Sequence, residues 1–138
     1  MLHLTFITVG DLPKGPFADI GEEFRKRLTP YVKVEHRVVK SADSIHVRES
    51  EYLVVLDENG MTADSKTFAQ MIQKFEDTGE HVTVVLGGPK GLPTELKQSA
   101  SLLLSLSAMT TTHDLAHIFF LEQLYRAFTI IRGKEYHY

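Results

Sequence analysis

The sequence predicts an α/β fold: a mostly parallel sheet of five or six strands with helices on both faces. Two observations predict it. Strand-like and helix-like stretches alternate along the chain, and several of the strand-like stretches are short continuous apolar runs, as strands covered on both sides require. The 138 residues are enough for one domain, 1–138, with a substantial core, and no repeat, low-complexity tract or linker divides them.

Taken in order, Leu2 to Val9 alternates and is β-branched enough for a first strand, closed by Gly10 and Pro13. Pro16 suits the first turn of a helix running to about Leu28, with Phe17, Ile20, Phe24 and Leu28 on one face. Val32, Val34, His36 and Val38 alternate as a second strand, with His36 a half-buried strand residue. After a polar stretch, Leu53 to Asp57 reads as a third strand and Asp57-Glu58-Asn59-Gly60 as the turn that ends it. Asp64 or Ser65 caps an amphipathic helix with Phe68, Met71, Ile72 and Phe75 at core spacing, stopped near Gly79. Val82 to Leu86 is a fourth strand, Thr94 to about Ala100 a short helix, and Leu102 to Leu106 a fifth strand. Asp114 to Arg132 is a long helix ending at Gly133.

Bulk properties exclude several classes of function. A chain that is 43% hydrophobic and 24% charged is ordinary for a water-soluble globular protein. No run of apolar residues is long enough to span a bilayer, and the opening residues lack a signal-peptide layout. The absence of cysteine excludes disulfides and thiolate metal sites and fits a cytoplasmic protein. A net charge of −3 argues against bulk-field binding to nucleic acid, so RNA contact has to come from a local patch. Residues 14–40 supply one candidate, with seven Lys or Arg against four Asp or Glu: Lys14, Arg25, Lys26, Arg27, Lys33, Arg37 and Lys40. A solvated helix face explains the same charges.

Gly87-Gly88-Pro89-Lys90-Gly91 follows a buried strand and precedes a helix, where open α/β sheets bind ligands. It is neither a phosphate-binding Walker loop nor a dinucleotide fingerprint, so a tight turn and a ligand loop are both open. Leu56 and the segment Leu106 to Thr111 also sit at strand ends, and the three loops together form a candidate site. The last helix is apolar around most of its circumference, its clearest polar stripe being Glu122, Arg126 and Thr129. A helix this apolar needs cover on more than one side, which implies a partner subunit.

The stretch LSLSAMTTTHDLAHIFFLEQLYRAFTIIRGKEYHY resembles the C-terminal signature of the RlmH family. These are bacterial SPOUT-type methyltransferases that act on a pseudouridine of large-subunit ribosomal RNA. The matching pieces are Ser-Leu-Ser-x-Met-Thr, His113, Leu-Glu-Gln-x-Tyr-Arg-Ala at 121–127, Ile-x-x-Gly at 130–133, and Tyr136-His137. Connectivity rules alone favour an unknotted sheet; the resemblance implies a SPOUT-type C-terminal trefoil knot instead.

The resemblance also implies a homodimeric, S-adenosylmethionine-dependent enzyme. It would methylate N3 of a pseudouridine in 23S rRNA of the assembled ribosome, with no metal required. Leu56, Gly87, Leu106, Ser107, Ala108, Met109, Thr110 and Thr111 are implied to hold the cofactor. His137 is implied as base or acceptor-positioning group, Tyr136 as its orienting partner, and Arg126 and Arg132 as RNA or dimer contacts, while His113 supports the loop.

The chain departs from the family in two ways. The connection Ser41 to Glu51 is too short for the usual helix and is expected to be reduced to a turn or lost. His117 stands where relatives usually carry Arg, Glu135 where they carry Pro, and Tyr138 where they carry Lys or Arg. These departures keep open a second reading, a non-catalytic ribosome- or RNA-binding relative that retains the cofactor.

Overall fold

The computed structural model describes Met1 to Tyr138. Five strands, all parallel, lie in the order β2-β1-β4-β3-β5. They are β1 (Leu2–Val9), β2 (Val32–Val39), β3 (Tyr52–Thr62), β4 (His81–Leu86) and β5 (Leu102–Ser105). The helices are α1 (Pro16–Leu28), α2 (Ser65–Thr78), α3 (Thr94–Ser99) and α4 (His113–Ile131).

The two faces of the sheet are covered unequally. Leu2, Leu4 and Phe6 of β1, Val54 of β3, Val82 and Val84 of β4 and Leu104 of β5 form the large core. They pack beneath Leu28 of α1, Phe68, Ile72 and Phe75 of α2, and Phe120, Leu121, Leu124 and Phe128 of α4. On the opposite face Ile7, Leu53, Val55 and Val85 form a smaller cluster under Ile45, Val47, Leu92 and Leu96. Beyond it, side chains seal the sheet themselves: Thr5 Oγ1 meets His81 Nε2 at 3.1 Å, and Thr83 donates to Glu51 at 3.0 Å. That leaves Thr5 and Thr83 buried with their hydroxyls satisfied.

The thin cover has a geometric cause. The link from β2 to β3 has 12 residues and must cross β1 and β4, three interstrand gaps or about 14 Å. Register places Tyr52 level with Leu4 but Val39 level with Val9, a further setback of about 17 Å along the strands. The resulting span of about 22 Å exceeds the roughly 18 Å that 12 helical residues reach, whereas an extended chain covers it easily. The link accordingly holds only a 3-10 turn, Ala42–Ser44, capped by Ser41. The expected loss of the helix is observed.

The strand β3 runs further than the sequence implies. Its pairing with β5 breaks after Leu56 and resumes at Met61, so 57–60 form a bulge inside the strand and do not end it. Gly60 makes this possible, because a Cβ there would lie 2.6 Å from the carbonyl carbon of Leu103.

Capping sets the limits of the functional helix. Thr112 accepts from the Leu115 amide at the start of α4. At its end Gly133 adopts φ +68°, Lys134 N donates to Thr129 O at 2.8 Å, and Gly133 N donates to Ile130 O at 3.2 Å, a Schellman closure. That closure turns the last residues back along the helix. Thr129, expected on the polar stripe, is buried, with its hydroxyl donating to the Arg126 carbonyl at 2.7 Å. On α1, Phe17 and Ile20 remain exposed, and only Leu28 and Gly21 of that helix are fully buried.

Candidate active site

Three strand ends converge. The carboxyl ends of β3, β4 and β5 surround a cavity of about 390 Å³, a volume suited to a nucleoside-sized ligand. Leu56, Gly87, Leu106, Ser107, Met109, Thr110 and Thr111 line it, seven of the eight residues singled out for the cofactor. Ala108 lies in the same loop but does not line the cavity. A neighbouring cavity of about 230 Å³ shares Leu104, Ser105 and Leu106 and extends to Ser65, Phe119 and Gln123.

The glycine loop owes its shape to close approach. A Cβ at Gly87 would sit 2.8 Å from Leu92, and one at Gly88 would sit 3.2 Å from the Val9 carbonyl. His113 fixes the loop from the other side by donating its Nδ1–H to the Gly87 carbonyl at 2.6 Å. A carbonyl can only accept, so the proton is on Nδ1 and Nε2 offers a lone pair. That Nε2 is itself buried and has no hydrogen-bond partner, so the ring engages the loop through Nδ1 alone.

The cavity therefore fits S-adenosylmethionine. Leu56, Leu86, Leu104 and Leu106 form an apolar wall for a purine, and Asp57 and Glu58 supply carboxylates to balance its cationic groups. Those carboxylates are tied in place. Asp57 pairs with Lys97 at 3.5 Å, and Glu58 accepts from Thr110 at 3.2 Å, latching the bulge of β3 to the loop after β5. The loop is braced internally by Ser105 Oγ on the Ser107 carbonyl and by the Met109 amide on Ser107 Oγ.

The second constellation lies in the tail. Glu122 is its hub, accepting from Arg126 Nε at 3.3 Å, from the Tyr136 hydroxyl at 3.3 Å and from Gln123 Nε2 at 2.9 Å. Gln123 in turn accepts from Ser65 at 2.7 Å, joining the tail network to the start of α2. Arg126 also stacks over the Tyr136 ring at 4.8 Å and donates to His137 Nδ1 at 2.9 Å. Burial, followed by the nearby Glu122 charge, raises the Tyr136 pKa above its ordinary value, so the phenol stays protonated.

The tail and the cavity do not meet within one chain. Glu122 lies nine residues beyond His113, roughly 13 Å along α4. Arg132 points elsewhere: its guanidinium forms a fork on Glu76 of α2, at 3.1 and 2.7 Å. In the basic stretch Arg27 pairs with Glu23 and Arg37 with Glu35, leaving Lys14, Arg25, Lys26, Lys33 and Lys40 outside any ion pair.

Sequence reasoning missed Gln123, Asp57 and Glu58 as parts of the site. Glu122 was visible only as a helical partner for Arg126, since its contacts with Tyr136 and Gln123 depend on the tail folding back. The Asp57-Glu58 pair read as a turn because nothing local shows that the strand resumes after it.

Known proteins agree with this geometry. The family described as "Predicted SPOUT methyltransferase" matches residues 2–137. A protein named ribosomal RNA large subunit methyltransferase H from Caldicellulosiruptor saccharolyticus is 35% identical, the alignment covering 95% of this chain and 97% of that one. A protein of the same name from Coprothermobacter proteolyticus is 36% identical, with 99% of each chain covered. Among solved structures, a "probable methylase family protein" from Haemophilus influenzae superposes with a TM-score of 0.57 at 14% identity, over 99% of this chain and 70% of that one, a likeness of fold alone. With its strand-end cavity and a family match along nearly the whole chain, the protein belongs to the SPOUT methyltransferases.

Proposed function

We propose that this protein transfers a methyl group from S-adenosylmethionine to N3 of a pseudouridine in 23S rRNA, acting as a cytoplasmic homodimer on the assembled ribosome. The supporting observation is the convergence of Leu56, Gly87 and Leu106 to Thr111 on one cavity beside a fixed histidine. The relatives' shared name supplies the substrate class. Arg126 and Arg132 serve the RNA or the dimer contact in this reading, Arg132 from within its fork on Glu76.

The cofactor supplies an already activated methyl group, so the protein's task is to position the acceptor and handle one proton. Holding both partners in line contributes on the order of 7–11 kcal/mol without any metal. Within a chain the tail lies more than a helical turn from the cavity. In a dimer, Tyr136 and His137 of one subunit complete the cavity of the other. Exposed apolar residues on two adjoining helices, Phe17 and Ile20 of α1 and Leu115 and Phe119 of α4, support such a pairing. The return of α4 from edge strand β5 to pack on Phe6 of β1 is the traverse that a C-terminal knot needs. In this reading the chain is one knotted domain, 1–138.

His137 has its Nδ1 occupied by Arg126, so its free nitrogen, Nε2, carries the proton. In this state the ring donates to the acceptor base and orients it. The proton released from N3 passes to water, or to the Nδ1 lone pair where the contact with Arg126 opens. The test is transfer of labelled methyl to ribosomes lacking the modification, followed by mapping of the labelled nucleotide. Label on N3 of one pseudouridine supports the reading. Cofactor binding with no transfer would replace it with the non-catalytic relative.

A further inference from the structure

A second cluster lies away from the cavity, where the loop after β1 meets β2 and α4. Asp11, His36 and His117 each bring one donor atom to within 4.8 Å of the others. His117 is fully buried, and neither of its ring nitrogens has a hydrogen-bond partner. A buried imidazole with two idle nitrogens forfeits the hydrogen bonds it had in water, so the arrangement calls for an occupant.

The geometry points to a divalent transition-metal site, zinc-like in its chemistry, formed by Asp11, His36 and His117. Two imidazoles and a carboxylate are a donor set that zinc accepts, with a water in the fourth position. The rings are already oriented: Phe6 stacks on His36 at 5.6 Å and meets His117 edge-on at 5.1 Å. Thr8 Oγ1 lies 2.9 Å from His36 Nε2, the kind of outer contact that steers a ligating histidine. The burial that keeps both rings neutral also leaves their lone pairs ready for a metal.

Donors around tetrahedral zinc stand about 3.3 Å apart, so the cluster must contract by up to about 1.5 Å. Asp11 is exposed on a loop and can supply that movement and the entry path. Arg25 opposes a cation here, because its Nη1 is buried without a partner over Gly21. Its side chain is only half-buried and can swing to solvent as the ion enters. The site would then tie the β1-to-α1 loop and β2 to α4, one turn from the His113 that holds the Gly87 loop. This differs from the sequence expectation, in which no metal had a place.

The experiment uses the full chain, stripped with chelator and dialysed, and requires no methyl transfer. Zn²⁺ is titrated by calorimetry, and Co²⁺ by its visible absorption. One equivalent per chain is expected, with the intense bands of four-coordinate Co²⁺. Saturating Zn²⁺ should raise the melting midpoint by at least about 5 °C. Asp11→Asn, at an exposed position, and His36→Gln, at a half-buried one, should each weaken binding at least about 100-fold while circular dichroism is unchanged. His81→Gln, at the separate His81–Glu51 contact, should leave binding intact. Absence of binding, six-coordinate Co²⁺, or binding that survives both Asp11→Asn and His36→Gln overturns the proposal.

Discussion

Arg126 donates to Nδ1 of His137 at 2.9 Å, and that contact decides which nitrogen of the ring faces the rest of the site. It also anchors a two-residue tail that would otherwise fray. Arg126 is itself held by Glu122 and lies over Tyr136, so the four side chains act as one unit.

The first prediction follows from that unity. His137→Ala should cut turnover by about 10²-fold or more while cofactor affinity stays within about 2-fold. Arg126→Ala should cost nearly as much, and the double variant little more than either single one. Single-turnover rates on ribosomes, with calorimetry for the cofactor, check this. Additive losses would show that the two residues work separately.

A second prediction concerns His113. Replacing it with Ala removes the bond to the Gly87 carbonyl and leaves that carbonyl unpaired at the rim of the cavity. A buried hydrogen bond of about 1–1.5 kcal/mol corresponds to about a 5- to 12-fold loss of cofactor affinity. His113→Asn, which can still donate, should recover part of it. Equal affinities in all three proteins would remove His113 from cofactor binding.

The elements were legible in the sequence wherever local chemistry decided them. Pro16, Asp64, Gly79 and Gly133 sit at helix ends as their capping chemistry requires, and the loops that line the cavity were visible as a candidate site because glycine and small residues cluster at strand ends. What was not legible depends on contacts between distant segments. Gly60 reads as a turn residue, yet its role is to let β3 rejoin β5 against Leu103. His36 reads as an ordinary strand histidine, and only the placement of α4 brings His117 to it, with ring centroids 5.2 Å apart. Phe17 and Ile20 fit a core face by periodicity, but no element of the chain packs over that part of α1 and both stay exposed.

Gly60→Ala provides a third prediction. The added Cβ would meet backbone atoms of Leu103 and Leu104 at 2.6 to 2.8 Å, and backbone cannot rotate away as a side chain would. A destabilisation of about 3 kcal/mol is expected, together with weaker cofactor binding as the 57–60 bulge shifts. Urea unfolding and calorimetry measure both. Wild-type stability would mean that β3 and β5 can separate without cost.

The fourth prediction is a pH dependence centred on His117. Burial, then the neighbouring His36 and Arg25, lowers its pKa from 6.5 to about 4, with Asp11 opposing and His113 adding slightly. The unfolded chain therefore takes up this proton before the folded one does. The neutral ring's contribution to stability is complete above about pH 6.5 and is lost as pH falls towards 4. A difference of this size corresponds to as much as about 3 kcal/mol. Denaturant unfolding between pH 7.5 and 4.5, with chelator present throughout, should show stability falling with pH. His117→Leu should flatten that slope without loss at neutral pH, because neither ring nitrogen has a protein partner to lose. A slope as steep in His117→Leu as in the native chain would place the responsible proton on another residue.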